Sequence, residues 1–120
     1  MPTDRVLESV SAYRTEVGRR NYVRWVLAGP ETAALDALAR LHAGSRVEMG
    51  PGSRLLGSFR ACGLLVPVWE VPSGTGVAEL TEGVTRIAAD LEDARALSAP
   101  LGEAERRSRA GLLSRQVTIH

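Results

Sequence analysis

The residues able to do chemistry in this chain are few, and their spacing leaves each one short of a complete site. Ser73-Gly74-Thr75-Gly76 lies between an apolar run and a helical stripe, where backbone amides can hold a phosphate. A dinucleotide fingerprint needs a third glycine three residues after Gly76. That position is Glu79, whose carboxylate would oppose a pyrophosphate, so the segment reads as a strand-to-helix connection. His42 follows Leu41 at the predicted end of a helix, where a charged imidazole interacts well with the dipole. Neither a nucleophile nor a partner acid accompanies it, and no Gly-x-Ser-x-Gly elbow is present, so it reads as structural. Cys62 falls on the apolar spacing of its segment and reads as a small core residue. As the sole cysteine it excludes an internal disulfide, and no cysteine–histidine cluster exists for zinc. Metal, cofactor and catalytic residues are all expected to be absent.

All 15 basic side chains are arginine; the 120 positions hold no lysine. This removes whole classes of chemistry. A Walker-type phosphate loop needs a lysine on the phosphates, a kinase core needs its strand lysine, and Schiff-base enzymes need a lysine amine. A coding sequence rich in G and C accounts for the bias, since asparagine occurs only as Asn21 and isoleucine only as Ile87 and Ile119. The bias alone is therefore no sign of phosphate binding.

The arginines do cluster. Residues 77–105 carry two arginines against seven acids, a balance of −5, whereas residues 106–120 carry four arginines and no acid, a balance of +4. Arg106, Arg107, Arg109 and Arg115 are the best candidates for binding an anion or nucleic acid. Neutralisation of the adjacent acidic block is the expected use, and a free basic surface is the alternative. Arg54 and Arg60 join the candidates if their segment is a reading helix. An enzyme built on arginine–carboxylate chemistry, for instance Arg24 with Glu70, is a third reading that nothing in the spacing supports.

The elements that must position these residues follow from periodicity. Val6, Val10, Tyr13 and Val17 recur at helical steps, which predicts an amphipathic helix over 4–17 ended by Gly18. Residues 21–28 read as a strand with Val23, Trp25 and Leu27 on one face. Gly29-Pro30 opens a second helix striped by Leu35, Leu38 and Leu41 and ended by Gly44. Residues 46–49 suit a short strand. The segment 53–63 suits either a helix, on Leu55, Leu56, Phe59 and Cys62, or an alternating strand. Ser53 and Gly63 supply both ends of a helix and favour that reading. Residues 64–71 form the clearest strand, with Pro67 predicting an edge position or a bulge. Val77, Leu80, Val84, Ile87, Leu91 and Ala94 give the strongest helical stripe, broken by Pro100. A last short helix over 102–114 and a terminal strand over 116–119 complete the chain.

Length and composition set the frame: 44% hydrophobic and 24% charged residues over 120 positions suit one globular domain rather than a disordered chain. The expected fold is α+β, a small antiparallel or mixed sheet covered by amphipathic helices, in a single domain over 1–120. The amino-terminal residues lack an apolar run of signal-peptide length and nothing approaches a membrane span, which makes the cytoplasm the default location and excludes a membrane partner.

Four stretches together carry a resemblance: Arg24-Trp25-Val26-Leu27-Ala28-Gly29-Pro30, Gly52-Ser53-Arg54 with Gly57-Ser58-Phe59-Arg60-Ala61, Gly63-Leu64-Leu65-Val66-Pro67-Val68-Trp69, and Glu105-Arg106-Arg107 through Arg109-Ala110-Gly111-Leu112 to Arg115-Gln116-Val117-Thr118. They resemble the C-terminal half of an uncharacterised family from high-G+C bacteria, whose members are sometimes labelled relatives of the preprotein translocase ATPase. The resemblance brings no catalytic residues, and the ATPase label fails for want of a lysine. The expectation is a non-catalytic interaction or structural domain whose partner is another protein or a second copy. The runner-up is a winged-helix-like nucleic-acid-binding domain, with helices at 31–43 and 53–62 and Arg54 and Arg60 on the reading helix.

Overall fold

The computed structural model describes residues 3–7, 11–17, 20–61, 63–72, 74–97 and 99–114. In chain order these form strands β1 (Thr3–Leu7), β2 (Ser11–Val17) and β3 (Arg20–Val26), helix α1 (Glu31–Ala43), strands β4 (Arg54–Ala61) and β5 (Leu64–Val71), and helices α2 (Val77–Arg95) and α3 (Glu103–Ser114). The strands pair antiparallel in the order β1-β2-β3-β5-β4. The expected α+β architecture is what forms. Cys62, Arg115 and the 116–119 strand lie outside the described residues.

Alternation along each strand divides the sheet into two faces. Val23 pairs with Trp69 and Ala12 with Trp25, so these residues share one face. All three helices pack on that side: α1 crosses β5 and lies between α2 and α3, α2 reaches β1, and α3 reaches β4. Leu38 of α1, Val84 and Ile87 of α2 and Leu112 of α3 join Trp25 and Trp69 in one hydrophobic core, each no more than 3% exposed. The two indole rings stand 6.1 Å apart, tilted by 37°. The α2 stripe read from the sequence is thus the buried stripe. Among the described residues, no helix is long and apolar enough to cross a membrane.

Three sequence expectations are corrected. Residues 4–7 and 11–17 lie in strands β1 and β2 rather than in a helix. Val17, Thr15 and Tyr13 suit a pleated surface, and β2 pairs with β3 along its whole length, a long-range gain invisible to local spacing. Residues 54–61 are a strand for the same reason, because β4 gains a ladder with β5. Ser53, expected to cap a helix, instead closes the preceding turn: its Oγ accepts from Met49 N–H at 2.8 Å and donates to the Gly50 carbonyl at 2.9 Å. Residues 46–49 are not a strand, but the segment is pinned inward, since Trp69 Nε1–H donates to the Val47 carbonyl at 2.8 Å.

Pro67 is also corrected, because β5 is an interior strand. Proline has no N–H to give a ladder. The β3–β5 register ends at Arg24↔Val68, just before Pro67, and contact resumes where Leu27 N–H donates to Leu65 O at 3.0 Å. The β4–β5 ladder carries a bulge between Leu55 and Gly57.

Two substitutions test this packing. Ile87→Ala removes a wholly buried side chain and should lower the unfolding free energy by about 2–5 kcal/mol. Gly83→Ala in an exposed helix interior would stabilise by about 0.5–1 kcal/mol. Here a Cβ at Gly83 would fall 2.8 Å from Met49 C and Cα, so urea denaturation should instead show a loss above about 1 kcal/mol. A stabilised Gly83→Ala protein would separate α2 from the 47–50 loop.

Candidate functional site: the arginines and the sheet face opposite the helices

The basic C-terminal helix is positioned by α1, not by the acidic helix before it. Arg109 Nε donates to Asp36 Oδ1 at 2.7 Å, and Arg40 of α1 reaches Glu105 Oε1 at 3.4 Å and the Ala99 carbonyl. Arg107 pairs with Glu103 one turn earlier at 3.1 Å, and Arg106 Nη1 donates to Leu101 O at 2.7 Å. Neutralisation therefore occurs, but across α1–α3 and within α3. Glu105 also accepts from Gly102 N–H at 2.7 Å, which closes the first turn of the helix. Once α3 lies on α1, α2's carboxylates have no part in these pairs.

Arg54 and Arg60 stand six residues apart on β4, an even spacing that a regular strand would place on one face. The bulge between Leu55 and Gly57 shifts the register by one, so Arg54 lies opposite Glu70 and Arg60 opposite Leu65, on different faces. Arg60 Nε reaches Glu31 Oε1 at the start of α1 at 3.2 Å, whereas Arg54 Nη2 reaches Glu70 Oε1 at 3.4 Å. The strand assignment removes the reading helix on which the winged-helix expectation rested.

The second face of the sheet carries the remaining constellation. Its floor is Thr15, Val66 and Val68, at 3%, 2% and 0% exposure, with both valines outside the helix-side core. Above the floor stand half-buried Tyr13, Tyr22, Arg24, Val26 and Phe59. Tyr13 lies opposite Arg24, Arg24 opposite Val68, Tyr22 opposite Glu70, and Phe59 opposite Val66. Arg24 Nη2 donates to Thr15 Oγ1 at 3.4 Å, and Glu70 accepts both Arg54 and Arg20, the latter at 3.6 Å. A hydrogen bond to Tyr22, with Glu70 beside it, holds the Arg20 guanidinium still more firmly in its charged form. Arg24 and Glu70 share this face, but Arg24 bonds to Thr15 and Glu70 pairs with Arg20 and Arg54. Periodicity signals this face through Tyr22, Arg24 and Val26; nothing in the local sequence says that the described helices all lie on the other side.

The glycine-containing turn is tied by its own bonds. Thr75 N–H and Oγ1 both reach the Pro72 carbonyl, at 3.2 and 2.7 Å, and Arg14 Nη1 donates to Thr75 O at 3.0 Å. The adjacent groove of about 520 Å³ carries Glu79 and Glu82, and its Arg86 is engaged with the Glu48 carbonyl. Two carboxylates at a helix start disfavour a phosphate there. His42 lies in the last turn of α1 as expected. Among the described residues, no three histidine, cysteine or carboxylate groups cluster to hold a metal ion.

The pairs differ in how much they should matter. Arg40 is 10% exposed at its side chain and holds two partners, so Arg40→Gln should cost about 1–3 kcal/mol by removing the cation beside Glu105 and the donor to the Ala99 carbonyl. Arg107→Gln, at an exposed pair, should change stability by less than about 0.5 kcal/mol. Equal urea midpoints for the two variants would contradict the placement of α3.

No curated protein and no solved structure matches the chain. One family model does, over residues 1–120, and the chain belongs to that family of unknown function (DUF5926).

Proposed function

We propose that this domain works by binding rather than by catalysis, and that its working surface is the face of the sheet opposite the helices. One observation carries the reading. The chain has only five aromatic residues. The two tryptophans are consumed by the core, and the other three, Tyr13, Tyr22 and Phe59, all stand on the face without a helix. Large, rigid side chains with one polar end are the residues that recognition surfaces concentrate, because they give contact area at little conformational cost. The buried valine floor beneath them makes the face a solid platform. The non-catalytic reading is supported by the mutual engagement of the candidate arginines and carboxylates. Arg54, Arg60, Arg106, Arg107 and Arg109 each hold a carboxylate or carbonyl of the same chain. Arg54 alone among these five lies on the proposed surface.

A photo-crosslinking residue in place of Val26, on this face, tests the reading against one in place of Thr85, on the exposed side of α2. In the organism that makes the protein, irradiation should trap a macromolecule at position 26 and little at position 85. Absence of any adduct at 26, or equal trapping at both, would overturn the assignment of the surface.

A further inference from the structure

The sheet face opposite the helices has the composition of a platform for a single-stranded nucleic acid, and we infer that this is its ligand. The inference rests on the binding role of that face. Such strands are held by aromatic rings on which bases stack, together with cations that follow the phosphates; open antiparallel sheets backed by helices use this combination.

Each part is present. Tyr13 and Tyr22 sit on neighbouring strands, offset by two residues because Thr15 lies opposite Tyr22. Such diagonal neighbours stand about 7–8 Å apart, comparable to the step between bases in an extended strand. Phe59 supplies a third ring at the far side, on β4. Arg20, Arg24 and Arg54 accompany them, with the carboxylate of Glu70 among them, a net of +2 for these four side chains. Arg20 and Arg54 are 70% and 72% exposed, and because they share one carboxylate each keeps donors for a phosphate.

The charge also selects among occupants. A second copy docked through the same face would set positive charge against positive charge, and like charges brought together cost free energy. A polyanion meets the face with the opposite sign. Duplex DNA presents its bases edge-on inside grooves, out of reach of a stacking surface, so the single strand is the form that fits.

Fluorescence anisotropy with labelled ten-nucleotide oligouridine, oligodeoxythymidine and a duplex of equal length tests the inference on the whole chain. Both single strands should bind at low salt and more tightly than the duplex. With two or three phosphates held, affinity should fall about tenfold between about 50 and 200 mM salt. Tyr22→Ala should weaken binding at least about fivefold, as loss of one stacked base does, while Tyr22→Phe should retain it. Phe59→Leu keeps apolar cover over Val66 but removes the ring, so it should weaken binding even if Tyr22→Ala fails to fold. Arg54→Gln should lower the salt slope, and Arg107→Gln on α3 should leave it unchanged. No binding at low salt, preference for the duplex, or sensitivity to Arg107 rather than to the rings would overturn the inference. If the oligonucleotides fail while position 26 still crosslinks to a protein, the ligand class is wrong and the binding role stands. If both fail, both readings fall.

Discussion

The structure depends on the burial of Trp69. Its ring is wholly inside, between the sheet and the helix layer, and an indole N–H cannot be left there without an acceptor. The Val47 carbonyl supplies one, and that single bond draws the 44–53 segment against the core. Val47 and Met49 are buried in consequence, and the Met49 backbone comes so close to α2 that only glycine fits at position 83. A loop with no regular structure of its own thereby sets how closely α2 lies on the sheet. The tilted contact with Trp25 completes the anchor, joining β3 and β5 at the centre of the sheet.

Three helices cover one face of the sheet, and no described helix lies on the other. Antiparallel sheets commonly stand with one face on a core and one solvated, and a solvated face usually alternates into small or charged residues. Here it keeps two buried valines and three of the chain's five aromatic residues. Arginine suits this setting better than lysine would, because its planar head can lie over apolar surface while its donors reach sideways. Arg24 does so, lying opposite Val68 with its Nη2 on Thr15. A basic set made only of arginine thus supplies side chains able to cover a hydrophobic floor and still carry charge.

Charge in the helix layer follows the same logic of placement. The −5 and +4 blocks are adjacent in sequence, but they do not meet as two helices laid along one another. α3 crosses onto α1, where Asp36 and Arg40 each find a partner of opposite sign in it. The pairs on α3 are mostly exposed and contribute little each; half-buried Arg40, which also holds the Ala99 carbonyl, ties the linker before α3 to the core.

Read alone, the sequence determined the elements whose signals are local. The α2 stripe from Leu80 to Ala94, the α1 stripe of Leu35, Leu38 and Leu41, and the apolar run of β5 each carry their own periodicity, and absent lysine removes phosphate-loop chemistry whatever the fold. Tertiary structure decided the rest. Residues 4–17 and 54–61 carry spacings that suit helix as well as strand, and the choice came from ladders with β3 and β5, partners distant in the chain. The separation of Arg54 from Arg60 came from a one-residue bulge, because a strand's period of two turns any single insertion into a change of face. The aromatic face belongs to the tertiary level too. Its rings come from β2, β3 and β4, and only the side on which the three described helices settle determines that Tyr13, Tyr22 and Phe59 stand opposite them.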